Sequence, residues 1–160
     1  MSGEHRGLVL LLSGPNLDLL GEREPQIYGT DTLADHVGRA ARSADRLGLR
    51  LEHLQSNHEG DLIEAVHGAR GRATAIVINA GALSHTSWAL HDALASFEGP
   101  VVELHLSNPA AREPFRHTSV LAPVSCGVVA GFGGLGYELA IEAVGRLIDG
   151  GLQNGGERAR

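Results

Sequence analysis

Short apolar runs alternate along the chain with segments whose apolar residues recur every three or four positions. The runs are Leu8–Leu12, Leu49–Leu54, Ala75–Ile78, Val101–Leu106 and Cys126–Ala130, rich in Val, Ile and Leu. Short runs of this kind predict buried strands. In "TLADHVGRAARSADRLG", Leu33, Val37, Ala40, Ala44 and Leu47 share one helical stripe. Thr32 is the N-cap of that helix, Asp35 follows three residues later, and Gly48 ends it. Asp61–Arg70, Ser87–Ser96 and Leu135–Asp149 predict further helices. There is no internal repeat. Residues 1–6 and 150–160 are polar or glycine-rich and are expected to be flexible tails on a single catalytic domain spanning 1–160.

Five strands alternating with helices predict an α/β fold, a parallel sheet covered on both faces. Right-handed crossovers leave few topologies, and the flavodoxin-like three-layer sandwich with strand order 2-1-3-4-5 leads them. Such folds bind ligands beyond the carboxyl ends of their strands, and polar residues gather there. Ser13-Gly14-Pro15-Asn16 follows the first strand. Asn79, Ser84 and His85 follow the third. The fourth strand and its exit carry Glu103, His105, Ser107, Asn108, Arg112 and Arg116. Taken singly, each has a structural explanation: a turn for Asn16, a helix start for His85, a solvated charge for Arg116. Together, on one rim, they point to a site for a polar, anionic small molecule. Glu103 and His105 lie two apart, so a strand projects both to one face. Burying two ionisable groups is costly unless they are paired and used. They read as a general acid, His105, held by Glu103.

Composition narrows the alternatives. A formal net charge of -6 argues against non-specific nucleic-acid binding. The opening "MSGEHRGLVLLLSGPN" lacks the form of a signal peptide, and no run approaches the roughly 20 apolar residues of a membrane span. One cysteine, Cys126, permits no internal disulfide, and a cytoplasmic location is expected. All 13 basic residues are arginine. No side chain can therefore form a Schiff base with a carbonyl, and no P-loop lysine exists.

Several patterns mislead. "GFGGLG" matches a dinucleotide fingerprint literally, but no strand ending in an acidic residue follows it, so its glycines read as a tight strand-to-helix turn. Nine histidines show no metal-ligand spacing, and neither a metal nor a cofactor is expected. Ser84, His85 and Asp92 are triad members by type only, without a GxSxG elbow. Cys126 is a small core residue. "GEREPQIYG", residues 21–29, has two readings. Either Arg23 is an exposed charge and Tyr28 fills a surface gap, or the segment is a mobile lid carrying a base and the cation that activates it. At this level a nucleotide- or flavin-binding module, a metal-dependent hydrolase and a non-catalytic scaffold all remain competitors.

"GPNLDLLGEREPQIYG", "QSNHEGDLI", "INAGALSHTSWALHDAL", "ELHLSNPAAREPFRHTS" and "GFGGLGYELA" together resemble type II 3-dehydroquinate dehydratase, from about Leu8 to Ile148. Pro114 stands where a second Glu is common, and Thr118 where His is common. The resemblance implies a lyase that dehydrates 3-dehydroquinate to 3-dehydroshikimate in the shikimate pathway. It implies Tyr28 as the base, Arg23 as its activator, Asn16 on the enolate, and His105 as the acid with Glu103 behind it. Asn79, His85, Leu106, Ser107 and Arg116 would line the substrate site, with Arg112 in support. Asp92 would reach a neighbouring subunit's site in a homododecamer of four trimers. Trp88 and Asp92 lie four apart on one helical face, which suits an interface, although a core Trp is the commoner case. No nucleic-acid or membrane partner is implied. With no lysine, an enolate must carry the electrons. A free tyrosine is only about one part in a thousand phenolate at pH 7. A cation about 4 Å away contributes ~4 kcal/mol at an effective dielectric of 20 but ~1 kcal/mol in water, so such a base needs a closed lid.

Overall fold

A computed structural model describes residues 3–150. Five strands, β1 (Leu8–Ser13), β2 (Arg50–Gln55), β3 (Ala75–Asn79), β4 (Val101–His105) and β5 (Gly127–Ala130), form one parallel sheet in the order β2-β1-β3-β4-β5. Each lies within a residue or so of the apolar run that predicted it. The helices are α1 (Pro25–Tyr28), α2 (Leu33–Arg46), α3 (Glu59–Ala69), α4 (Trp88–Ala95) and α5 (Leu135–Ile148). The fold is the flavodoxin-like α/β sandwich.

Strand alternation divides the core in two. Val9, Leu11, Val77, Val102 and Leu104 face α2 and α5, while Leu10, Leu12, Ile76, Ile78 and Val101 face α3 and α4. Both faces of β1, β3 and β4 are thus dry, which explains their unbroken apolar runs. Helix α2 starts in a full capping box: the Thr32 hydroxyl accepts from the Asp35 N–H at 3.2 Å, and the Asp35 carboxylate accepts from the Thr32 N–H at 2.9 Å. The same bonds hold the Asp35 carboxyl below its usual range.

Two expectations need correction. The N-terminal tail ends sooner than residue 6, because Arg6 is tied down. Its N–H donates to Gly48 at 2.9 Å, its Nε donates to the Leu47 carbonyl at 2.6 Å, and its guanidinium pairs with Asp149. Residues 1–2 and 151–160 of the expected tails lie outside the described residues. The Gly21–Gly29 segment is more than a loop: Pro25 fixes the first position of a single helical turn that ends at Tyr28.

The strand order reverses between β1 and β3, whose following helices cross to opposite faces of the sheet. Ser13 pairs in register with Asn79 there. A Cβ on Gly14 would lie 2.5 Å from the Ala80 carbonyl oxygen, so only glycine lets the two strand exits run this close. At the other end, a Cβ on Gly136 would lie 2.9 Å from Leu104. The "GFGGLG" glycines accordingly serve the turn and the close seating of α5 on β4. No helix among the described residues is long and apolar enough to cross a membrane.

Candidate active site

Three strand exits and the Gly21–Gly29 segment enclose a cavity at the switch point. The first exit brings Asn16, held in a left-handed conformation (φ 69°) by its own N–H donating to the Asn57 side chain at 2.9 Å. Gln55 bridges the same loop, donating to the Gly14 carbonyl and to Asn57, each at 3.2 Å. The second exit brings Asn79, 3% exposed, whose side-chain oxygen accepts from the Gly81 N–H at 3.3 Å. His85 ends the short turn Gly81–His85, and its Nδ1 donates to the Thr118 carbonyl at 2.9 Å. That bond assigns the proton to Nδ1 and leaves Nε2 for a ligand.

The third exit carries the acid–base pair. Glu103 is 1% exposed and His105 9%. One Glu103 oxygen lies 3.5 Å from His105 Nε2, and the other accepts the Ser119 hydroxyl. Ser119 in turn accepts from the N–H groups of Leu121 and Ala122, each at 3.1 Å. The carboxylate is thereby paired on both oxygens, as burial demands. The His85 and His105 rings lie nearly parallel, 6.5 Å apart.

Across the cavity stands Tyr28. Arg112 Nη1 donates to its hydroxyl at 2.9 Å and to the Ser107 hydroxyl at 3.2 Å, with its guanidinium 5.3 Å from the ring centre. Arg23 lies over the ring at 5.4 Å and pairs with Glu24 at 3.5 Å. In this conformation the cation on the hydroxyl is therefore Arg112, with Arg23 on the ring face. Glu24, which caps the helical turn ending at Tyr28, takes a left-handed φ of 41°.

Of the twelve residues singled out in the sequence, ten line this cavity: Asn16, Arg23, Tyr28, Asn79, His85, His105, Leu106, Ser107, Arg112 and Arg116. Glu103 stands behind His105. Asp92 does not reach the cavity; its side chain is 82% exposed and pairs with His91 at 3.1 Å. Trp88 is 61% exposed, so the core reading of that residue is wrong. Ser84 is buried away from the site. Sequence reasoning missed Ser119 as the partner of Glu103, and the Thr118 carbonyl as the anchor of His85. It also missed the apolar wall of Leu17, Leu20 and Pro109. No local pattern marks the first two, because both contacts join segments distant in the chain.

Among the described residues no carboxylate lines the cavity, whereas Arg23, Arg112 and Arg116 all do. Glu113 sits just outside. Its own backbone N–H and the Arg116 guanidinium, 2.6 Å away, hold its carboxyl below the usual range. The enclosed field favours an anion, and two imidazoles and a phenol supply proton-transfer groups. Among the described residues, no three His, Cys, Asp or Glu side chains gather as metal ligands would.

The family model for class II dehydroquinases matches residues 7–145. The chain belongs to the class II dehydroquinase family. A 3-dehydroquinate dehydratase of Dinoroseobacter shibae is 52% identical over 136 residues, covering 85% of this chain and 91% of the relative. One of Bacillus licheniformis is 55% identical over 133 residues, covering 83% and 92%. The type II dehydroquinase of Propionibacterium acnes superposes with a TM-score of 0.85 at 43% identity, covering 89% of this chain and 99% of that one. The dehydroquinase framework thus accounts for the sheet order and for the strand exits that build the cavity.

Proposed function

We propose that this chain is a single-domain lyase that dehydrates 3-dehydroquinate to 3-dehydroshikimate in the shikimate pathway, without a cofactor, in the cytoplasm. Membership of the dehydroquinase family and the names of its relatives support the reaction. The observation that carries the mechanism is the pairing of an arginine-held phenol, Tyr28, with the Glu103–His105 couple across a cavity lined by Arg23, Arg112 and Arg116.

The ionised Tyr28 takes the proton beside the ketone, and the electron pair moves into an enolate. Asn16, at the β1 exit, stabilises the charge that develops on oxygen. The enolate then expels the β-hydroxyl group. His105 protonates that hydroxide as the C–O bond breaks, giving the conjugated enone and water. Glu103 steadies the imidazole and balances its charge. Arg112 and Arg23 stabilise the phenolate. Asn79, His85, Leu106, Ser107 and Arg116 hold the substrate's carboxylate and hydroxyls.

The chain works as a homododecamer of four trimers in which Asp92 serves a neighbour's site. Its exposure and its place beside the exposed Trp88 support that role. The direct test is incubation of the purified protein with 3-dehydroquinate while following the ultraviolet absorbance of the enone. An enzyme-dependent rise is expected, and an unchanged spectrum would overturn the assignment. Light scattering at working concentration checks the assembly, where a mass near that of a monomer would refute it.

A further inference from the structure

The "QSNHEGDLI" stretch takes no part in the chemistry described so far, yet it grips the loop that carries Asn16. Gln55 ends β2 in register with Ser13 at the end of β1. The turn after it is anchored on both sides. The Ser56 N–H donates to the Ser13 carbonyl at 3.0 Å. The buried Ser56 hydroxyl donates to the Asp61 carboxylate on α3 at 2.6 Å and accepts the His58 N–H at 3.0 Å. Asn57 sits between these anchors. Its side-chain oxygen accepts from the Asn16 N–H at 2.9 Å and from Gln55 Nε2 at 3.2 Å, and the same Gln55 nitrogen donates to the Gly14 carbonyl at 3.2 Å. Two N–H donors can converge on the carboxamide only at its oxygen, so the orientation of the Asn57 amide is fixed.

The grip matters for what Asn16 would otherwise do. Asn16 is the N-cap of the short turn Leu17–Leu19. An asparagine there ordinarily has an extended backbone and folds its side chain back to accept a backbone N–H. Here the backbone is left-handed, with φ 69° and ψ -2°, and the side chain makes no cap hydrogen bond. That conformation is unfavourable for any residue but glycine, and asparagine tolerates it best. The bond to Asn57, 41 residues away, offsets both losses. The Asn16 carboxamide, released from the turn, lines the active-site cavity.

We propose that Asn57, held by Gln55 and the anchored turn at Ser56, is a positioning residue that keeps Asn16 left-handed, so that the Asn16 carboxamide is withheld from the turn and presented to the enolate oxygen. Asn57 does not itself line the cavity and acts through Asn16. The inference rests on the reading that Asn16 stabilises the enolate.

Two measurements test it. The first is steady-state kinetics of Asn57→Ala, Asn57→Asp, Asn16→Ala and the Asn16→Ala/Asn57→Ala double variant. Asn57→Ala should lower kcat by about 3- to 10-fold, the worth of one neutral hydrogen bond. KM should change little, because the charge that Asn16 meets develops only on the way to the enolate. Asn57→Asp keeps an acceptor oxygen in place and should recover most of kcat. Against an Asn16→Ala background, Asn57→Ala should cost nothing further, whereas a merely structural loss would appear equally in both backgrounds. A wild-type kcat in Asn57→Ala, an aspartate variant no better than the alanine one, or an undiminished loss in the double variant overturns the proposal. The second is a crystal structure of Asn57→Ala, in which Asn16 should leave the left-handed region and fold its side chain onto the turn at Leu17. If Asn16 keeps its φ and its side-chain direction, the proposal falls whatever the enzyme's activity. If the wild type leaves 3-dehydroquinate unchanged, the functional reading fails, while the variant's crystal structure still decides whether Asn57 sets the conformation of Asn16.

Discussion

Replacing Ser119 by alanine removes a single oxygen yet disturbs three groups. The Glu103 carboxylate, 1% exposed, loses one of its two partners. The N–H groups of Leu121 and Ala122 lose their common acceptor. A hydrogen bond to a buried charge contributes about 1.5–3 kcal/mol, and leaving a buried N–H unsatisfied costs about 1–3 kcal/mol. Leu121 is fully buried, whereas Ala122 can turn to water. A total near 3 kcal/mol follows on these figures. At this chain length 1 kcal/mol moves the melting temperature by about 2–4 °C, so Ser119→Ala should melt roughly 6–12 °C lower at matched protein concentration. Glu103 is also the group that steadies His105, so kcat should fall several-fold while KM changes little. Ser119→Thr keeps the hydroxyl and should recover most of both effects. A Ser119→Ala protein that melts within about 2 °C of wild type and turns over at the wild-type rate would refute the assignment of Ser119 as the support of the acid pair.

Three further outcomes follow. Tyr28→Phe should nearly abolish turnover while melting and ligand binding stay close to wild type; Arg112→Ala and Arg23→Ala should each lose turnover, with residual activity rising toward alkaline pH, and a flat pH profile in both would remove the arginines from base activation. Inactive Asp92→Ala chains dissociated and reassembled with inactive Tyr28→Phe chains should regain activity, because mixed trimers contain intact sites; a mixture as dead as its parents would end the shared-site reading. His36 is held below its ordinary pKa by burial first and by the Arg39 cation second. The unfolded chain therefore binds the extra proton, so stability is full above the unfolded value of about 6.5 and is lost as pH falls from there through the lower folded value. His36→Gln should flatten the fall in melting temperature below that pH, and an unchanged slope would show that His36 does not contribute to it.

The centre of the sheet was legible because its inner strands are buried on both faces; β1 and β3 carry no polar residue before their last positions. The rim residues were legible for a related reason. Glu103 and His105 interrupt a strand that could not otherwise tolerate them, and Asn16, Asn79 and His85 stand where parallel sheets keep their ligands. Pairings over long sequence separations could not be read. The Arg112–Tyr28 contact joins residues 84 apart, and Arg6 meets Asp149 across 143 residues. Nothing local distinguishes such an arginine from a solvated one. Arg23 lies over the Tyr28 ring, but which guanidinium meets the oxygen depends on how the Gly21–Gly29 segment is folded.

His85 is anchored by the carbonyl oxygen of residue 118, an atom that every amino acid supplies. The bond to His85 therefore depends on the backbone path at that position, and the threonine found here supplies it as well as the histidine common in the family would. An insertion or deletion of one residue between Arg112 and Thr118 would tell a different story, since it would carry the carbonyl away from the imidazole while leaving every recognisable active-site residue in place.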